Sequence, residues 1–440
     1  MSIGYTRVRI VAQPVKIDMS DHSAKLLQAR CGGRVRRVGS CVGLLCALGS
    51  RVIARIRLTA PLVMVTVGIV VSRLMHEDLA DLLDESATEH AVELILALLL
   101  FVDATEVRGG LFGGERAVSA RLPAVALPLT LLGAVVLGTV LLPSTSIAVL
   151  VVVACVVVPT DLAPASGLLH DSRLPERVRR TLNVESGYND DIVAPVFVVA
   201  LATLGENHAR EGTGEAIVHG FQSSMTAGVV GAAGGFGGAW LARSATSRAL
   251  TTLRCVRIGV VLLTLLAYAA ASGLSANGFI AAFVSGIAYH ATRTTIGGGT
   301  LDESELELAE DLAILSSMAM WFLFGATVSY LFELGVPGGE VFVYAAVALT
   351  ALRIIPVRFS LLGSDLPAPD RRAISLLGPR GTASIVFGLL AWRGIDDIDD
   401  ASLVLYVMAA TVLGSIAFHG FTVDRVGRRH SREVSATPQS

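Results

Sequence analysis

N-V-E-S-G-Y-N-D-D, residues 183–191, lies between the basic run R-L-P-E-R-V-R-R at 173–180 and the apolar run I-V-A-P-V-F-V-V-A-L-A at 192–202. Glu185, Asn189, Asp190 and Asp191 therefore stand at the mouth of, or inside, a hydrophobic segment too long for an ordinary core helix. Ionisable groups in such a segment cost roughly 2.5–3.5 kcal/mol each on insertion scales, so their presence points to a function. A helix places Glu185 and Asn189 four residues apart on one face, with Asp190 about 100° further round. Upstream, a second apolar helix is interrupted by Pro159-Thr160-Asp161 and again by Pro164. Two carboxylates on neighbouring helices, Asp161 and Asp190, one of them beside a helix break, suggest an intramembrane cation site.

The composition agrees with this setting. Of 440 residues, 53% are hydrophobic and 16% charged, and the mean hydropathy is +0.65, far from a soluble average. A polytopic, all-α membrane protein follows. The net charge of −2 gives no reason to expect a nucleic-acid partner, because the charges are sorted by loop. Five cysteines, widely spaced and without a C-x-x-C pair, indicate neither a disulfide framework nor a metal cluster. No G-x-x-x-x-G-K loop is present, which argues against nucleotide-driven pumping, and no cofactor is implied.

Residues 1–57 form a basic N-terminal region whose apolar patch at 41–48 is too short to span a bilayer, readable as a degenerate first helix. From residue 58 onward about twelve apolar segments follow, thirteen with that first helix: 58–74, 89–103, 122–142, 147–169, 182–204, 217–242, 257–273, 277–291, 307–332, 341–361, 373–393 and 402–421. They define a transmembrane domain at 58–422 and a short tail at 423–440. Alternate loops are basic (Arg51 to Arg57, Arg173 to Arg180, Arg425 to Arg432) and acidic or neutral (Glu77 to Glu85, Asp396 to Asp400), which places both termini in the cytoplasm of a cell-membrane protein. The acidic loop near 292–306 fits that rule least well. The segments divide into two sets of six, each with a broken member, V-V-V-P-T-D in one and L-L-G-P-R-G-T-A-S in the other. Interrupted helices at corresponding positions of two halves are the mark of a transporter with inverted repeats and a site at the bilayer midplane. The glycines of the sixth segment, Gly228 to Gly238, read as a close-packing face.

F-V-D-A at 101–104, P-T-D at 159–161, L-P-E-R-V-R-R-T-L-N-V-E-S-G-Y-N-D at 174–190, A-N-G-F-I-A-A-F-V-S-G at 276–286, R-I-I-P-V at 353–357, G-P-R-G at 378–381 and S-I-A-F-H-G at 415–420 together resemble the monovalent cation:proton antiporter-1 family, the NhaP-type sodium/proton exchangers. The resemblance implies crossed, discontinuous helices and a homodimer. It also implies that Asp190 alternates between proton and cation, with Asp161 and Thr160 at the unwound crossing and Ser186 as an oxygen ligand. Glu185 would pair with Arg353, Asn189 would take the place of a second aspartate in electrogenic relatives, and Arg380 would sit at the crossing of the second broken helix. Asp191 departs from the family pattern, as does Pro164.

Sodium and lithium are hard ions that take oxygen ligands. A carboxylate that can hold a proton or help hold the cation, but not both, couples the two flows. Since Asn189 cannot titrate, exchange is expected to be electroneutral. Three alternatives stay open: potassium as the ion, a cation channel, and an intramembrane aspartyl protease with Asp161 and Asp190 as a shared-proton pair. The last lacks the G-x-G-D run of such enzymes. Structural roles compete residue by residue: a helix cap for Asp161, ion pairs for Glu185 and Asp190, and backbone hydrogen bonds for Thr160 and Ser186.

Overall fold

In a computed structural model, residues 60–74, 86–106, 120–162, 174–204, 213–296 and 303–436 are described; the 1–57 region and Pro164 lie outside them. The described residues are helical and contain no strand. They form α1 (Ala60–Leu74), α2 (Ser86–Glu106), a π-helical turn (Leu122–Ala126) running into α3 (Leu127–Leu141), α4 (Ile147–Val157), α5 (Glu176–Ala202), α6 (Thr213–Ser247), α7 (Leu253–Gly273) and α8 (Gly278–Ile296). After a 3₁₀ turn (Glu303–Glu305) follow α9 (Glu307–Leu334), α10 (Gly339–Leu349), α11 (Ala351–Ser360), α12 (Ala368–Leu376), α13 (Thr382–Gly394) and α14 (Ile398–Ala436).

Among the described residues, six helical segments are long and apolar enough to cross a membrane: Leu122–Leu141, Gln222–Ser247, Leu253–Gly273, Glu307–Leu334, Gly339–Ser360 and Ile398–His419. The other expected segments are helical too, but they are short, broken or carry charge. At a rise of 1.5 Å per residue, the 11 residues of α4 and the 13 of α13 reach only about 16 and 20 Å, against a hydrocarbon core of about 30 Å. Neither helix is long enough to cross such a core by itself. The last apolar segment, Ile398–His419, agrees with the expected span, and its helix continues beyond it to Ala436.

Helix α4 is the centre of the bundle. Val152 through Val157 are fully buried, as a helix apolar on every side must be. It packs against α3, α5, α13 and α14. Peripheral helices do the reverse: Leu132, Val136 and Val140 of α3 and Val229, Phe236 and Trp240 of α6 are exposed, forming surfaces suited to lipid. Of the α6 glycines, Gly231, Gly235 and Gly238 serve close approach, while Gly228 and Gly237 face open space. A Cβ at Gly231 or Gly235 would strike the carbonyls of Ala281 and Ser285 on α8.

In the acidic segment that fitted the charge rule poorly, Glu305 is paired locally. Glu305 is buried, pairs with Arg293 and accepts from the Tyr289 hydroxyl at 3.1 Å. Glu307 pairs with Arg257, whose Nε also donates to the Ser304 carbonyl at 2.7 Å.

Candidate functional site

Ser146 starts α4 by accepting the Val149 N–H at 3.3 Å, and the helix ends where Pro159 has no N–H to give. Val158-Pro159-Thr160-Asp161 then runs as irregular chain. Later in the chain α12 ends at Leu376 and α13 begins at Thr382, leaving Gly378-Pro379-Arg380-Gly381 unwound. The two stretches cross. Asp161 donates its N–H to the Pro379 carbonyl at 2.8 Å.

Each stretch caps the helix of the other. The Asp161 carboxylate accepts the Thr382 N–H at 2.6 Å, placing negative charge at the N-terminus of α13. Arg380 Nη1 donates to the carbonyls of Val158 at 2.6 Å and Pro159 at 3.1 Å, placing positive charge at the C-terminus of α4. Both signs complement the helix dipoles, and both satisfy backbone groups that a broken helix leaves without partners. Gly381 is required by this geometry: a Cβ there would collide with the Asp161 carboxylate.

From α5, two side chains reach the same stretch. Asn189 donates to the Thr160 hydroxyl oxygen at 2.7 Å, and the Ser186 hydroxyl donates to the Thr160 carbonyl at 2.9 Å. Thr160 and Asn189 are each only 3% exposed. Glu185, one turn before Asn189, pairs with Arg353 of α11 in a bidentate contact. Arg353 Nη2 also donates to the carbonyls of Ile374 at 3.0 Å and Leu377 at 3.2 Å, closing the C-terminus of α12. Thus one buried arginine holds the acidic helix α5 and the broken helix together. A cavity of about 10 Å³, room for about one water, lies among Thr130, Val158, Glu185, Asn189, Arg353 and Arg380.

All the predicted site residues therefore lie on three neighbouring elements: the two breaks and α5, with Arg353 behind them. Asp190 follows Asn189 on α5; its side chain and that of Asp191 lie outside the described residues. The Thr160 hydroxyl and carbonyl and the Ser186 hydroxyl, with the Asp161 carboxylate on the next residue, are oxygens of the donor type a hard monovalent cation takes. Among the described residues, no group of three or more His, Cys, Asp or Glu side chains could hold a metal ion.

Sequence reasoning gave His419 and Ser415 no part in this site. Gly378 donates its N–H to His419 Nε2 at 3.3 Å and Arg380 donates its N–H to the Ser415 hydroxyl oxygen at 2.8 Å. The available signal was a serine and a histidine four residues apart on an apolar helix, hence on one face.

Comparison with known proteins bears on the family and the fold. The family model described as sodium/hydrogen exchanger, transmembrane, matches residues 42–429. The chain is 25% identical over 266 residues to the K(+)/H(+) antiporter NhaP of Alkalimonas amylolytica, covering 60% of this chain and 43% of that one. It is 26% identical over 289 residues to the K(+)/H(+) antiporter NhaP2 of Shewanella baltica, covering 65% and 48% respectively. The chain thus matches less than half the length of these curated relatives. Its fold is similar to that of the sodium proton antiporter MjNhaP1 of Methanocaldococcus jannaschii, with a TM-score of 0.66 and 18% identity over 91% of this chain and 99% of that one.

Proposed function

Because this chain belongs to the sodium/hydrogen exchanger family, we propose that it is a secondary transporter exchanging a monovalent cation for a proton at the crossing of its two broken helices. The observation that carries this reading is the convergence of Thr160, Ser186 and Asn189 beside Asp161, one position along α5 from Asp190. Asp190 takes the proton or helps hold the cation, and the competition couples the two flows. The Thr160 and Ser186 oxygens and the Asp161 carboxylate complete the cation's shell. Arg380 and Arg353 offset helix-end and carboxylate charge instead of binding the ion. Asn189, donating to Thr160, positions the crossing and adds no titrating group, so one proton is exchanged for one cation.

Sodium or lithium is the first cation of this reading. Potassium is the second, supported by the names of the relatives in Alkalimonas and Shewanella. The account also includes two inverted six-helix repeats, both termini in the cytoplasm and a homodimer.

The test uses everted vesicles with a respiration-generated proton gradient, to which sodium, lithium, potassium or calcium chloride is added. Dissipation by sodium or lithium supports the first reading, and dissipation by potassium alone supports the second. A well-expressed protein that dissipates the gradient with none of them contradicts exchange.

A further inference from the structure

The unwound stretch before α13 has backbone N–H groups that no helix can satisfy. The Thr382 N–H is taken by Asp161, whereas those of Gly378 and Arg380 are taken by α14, through His419 and Ser415. His419 is 4% and Ser415 1% exposed, so water does not compete for these bonds. The hydrogen bonding fixes the state of the ring. Nε2 accepts from Gly378, so in the neutral imidazole the proton resides on Nδ1, which lies 3.0 Å from the Ser415 carbonyl and donates to it. Among the described residues, the charged groups bearing on the ring are Arg380 and Arg353, and the Leu376 carbonyl also faces it. A proton on Nε2 would put a donor against the Gly378 N–H and a third cation beside two arginines.

We propose that His419 is a positioning residue for exchange: as a neutral Nδ1–H imidazole it holds Gly378 and, with Ser415, fixes the unwound stretch that carries Arg380 to the crossing. The consequence reaches the cation. Arg380 anchors the Val158 and Pro159 carbonyls, and Thr382 anchors Asp161, so slack at Gly378 displaces the oxygens around Thr160. The proposal rests on the exchange reading for its functional half, while its structural half stands apart from it.

The experiment compares the full chain with His419→Leu, which removes the acceptor, and His419→Gln, which sets an amide oxygen near the position of Nε2. Two readouts are used. Amide hydrogen exchange of a peptide covering 377–384 is expected to be about fivefold to tenfold faster in His419→Leu and close to wild type in His419→Gln, the scale of one lost hydrogen bond. The half-saturating cation concentration for proton release in vesicles is expected to rise by a similar factor in His419→Leu at little-changed maximal rate, and to be restored in His419→Gln. Unchanged amide exchange in a folded His419→Leu overturns the proposal. Faster amide exchange with an unaltered cation dependence overturns its functional half, as does a glutamine variant as impaired as the leucine one. Should the wild type transport no cation, the exchange reading falls, and the amide-exchange arm alone decides whether His419 holds the stretch.

Discussion

Asp161 and Arg380 cap each other's helices: the Asp161 carboxylate accepts the Thr382 N–H that opens α13, and Arg380 donates to the Val158 and Pro159 carbonyls that close α4. Both residues therefore hold the crossing whatever else they do. Arg380→Ala leaves two buried carbonyls without donors, and we expect a stability loss of about 3 kcal/mol, at roughly 1–3 kcal/mol for each unmade bond. Asp161→Ala, which removes a cap, should lose about 1–2 kcal/mol. Thermal unfolding in detergent measures both; equal, negligible losses would refute the reciprocal caps.

Glu185 and Arg353 are 3% and 5% exposed. Glu185→Ala strands a buried guanidinium, so a destabilisation of about 3–5 kcal/mol is expected. Adding Arg353→Met removes that charge, although the Ile374 and Leu377 carbonyls then lose their donor. The double variant should be less destabilised than the sum of the singles. Strict additivity in a double-mutant cycle would mean that the pair is not coupled.

Gly381 lies where a Cβ would collide with the Asp161 carboxylate. Gly381→Ala should therefore disturb the crossing even though it changes one methyl group, and exchange should fall by at least about tenfold, the scale of 1.4 kcal/mol. Gly187, with nothing near its Cβ position, serves as the control, and Gly187→Ala should retain activity.

Much of this arrangement was legible from the sequence. Pro159 and the G-P-R-G run located both helix breaks, because proline and glycine act through the local backbone. The carboxylates of 183–191 stood out because charge in an apolar segment is rare. A helix cap for Asp161 is among the sequence readings, but the reciprocal partners were not legible, since they join residues more than two hundred positions apart and a cap partner outside its own helix leaves no periodic signal. The Glu185–Arg353 pair came from the family resemblance and not from spacing. The pairing of Glu305 with Arg293 joins two residues of the same 292–306 segment and so leaves its charge balance as the sequence has it. The last apolar segment was legible to within a few residues, whereas the helical continuation of α14 to Ala436 was not, because hydropathy fades after His419 while helix propensity does not.

Competition of proton and cation for one carboxylate has a definite sign. Lowering pH fills the site with protons, so the half-saturating cation concentration should rise as pH falls, approaching about tenfold per pH unit once the proton form dominates. Initial rates over a matrix of pH and cation concentration give this directly. A half-saturating concentration independent of pH would exclude a shared site.

With Asn189 donating to Thr160 and unable to titrate, each cycle should move no net charge. Clamping the membrane potential should leave the exchange rate unchanged within about twofold, against the roughly 2.3 kcal/mol per charge that 100 mV supplies. A steep dependence on potential would bring Asp191 into the stoichiometry.

The central claim is that the carboxylate of Asp190 is the one proton and cation share. Purified wild type and Asp190→Asn, reconstituted into liposomes at equal amounts and shown to be folded, would be compared for cation-driven proton movement under an imposed gradient. The account predicts exchange in the wild type and none above empty liposomes in the variant. An Asp190→Asn protein that exchanges at the wild-type rate would contradict it.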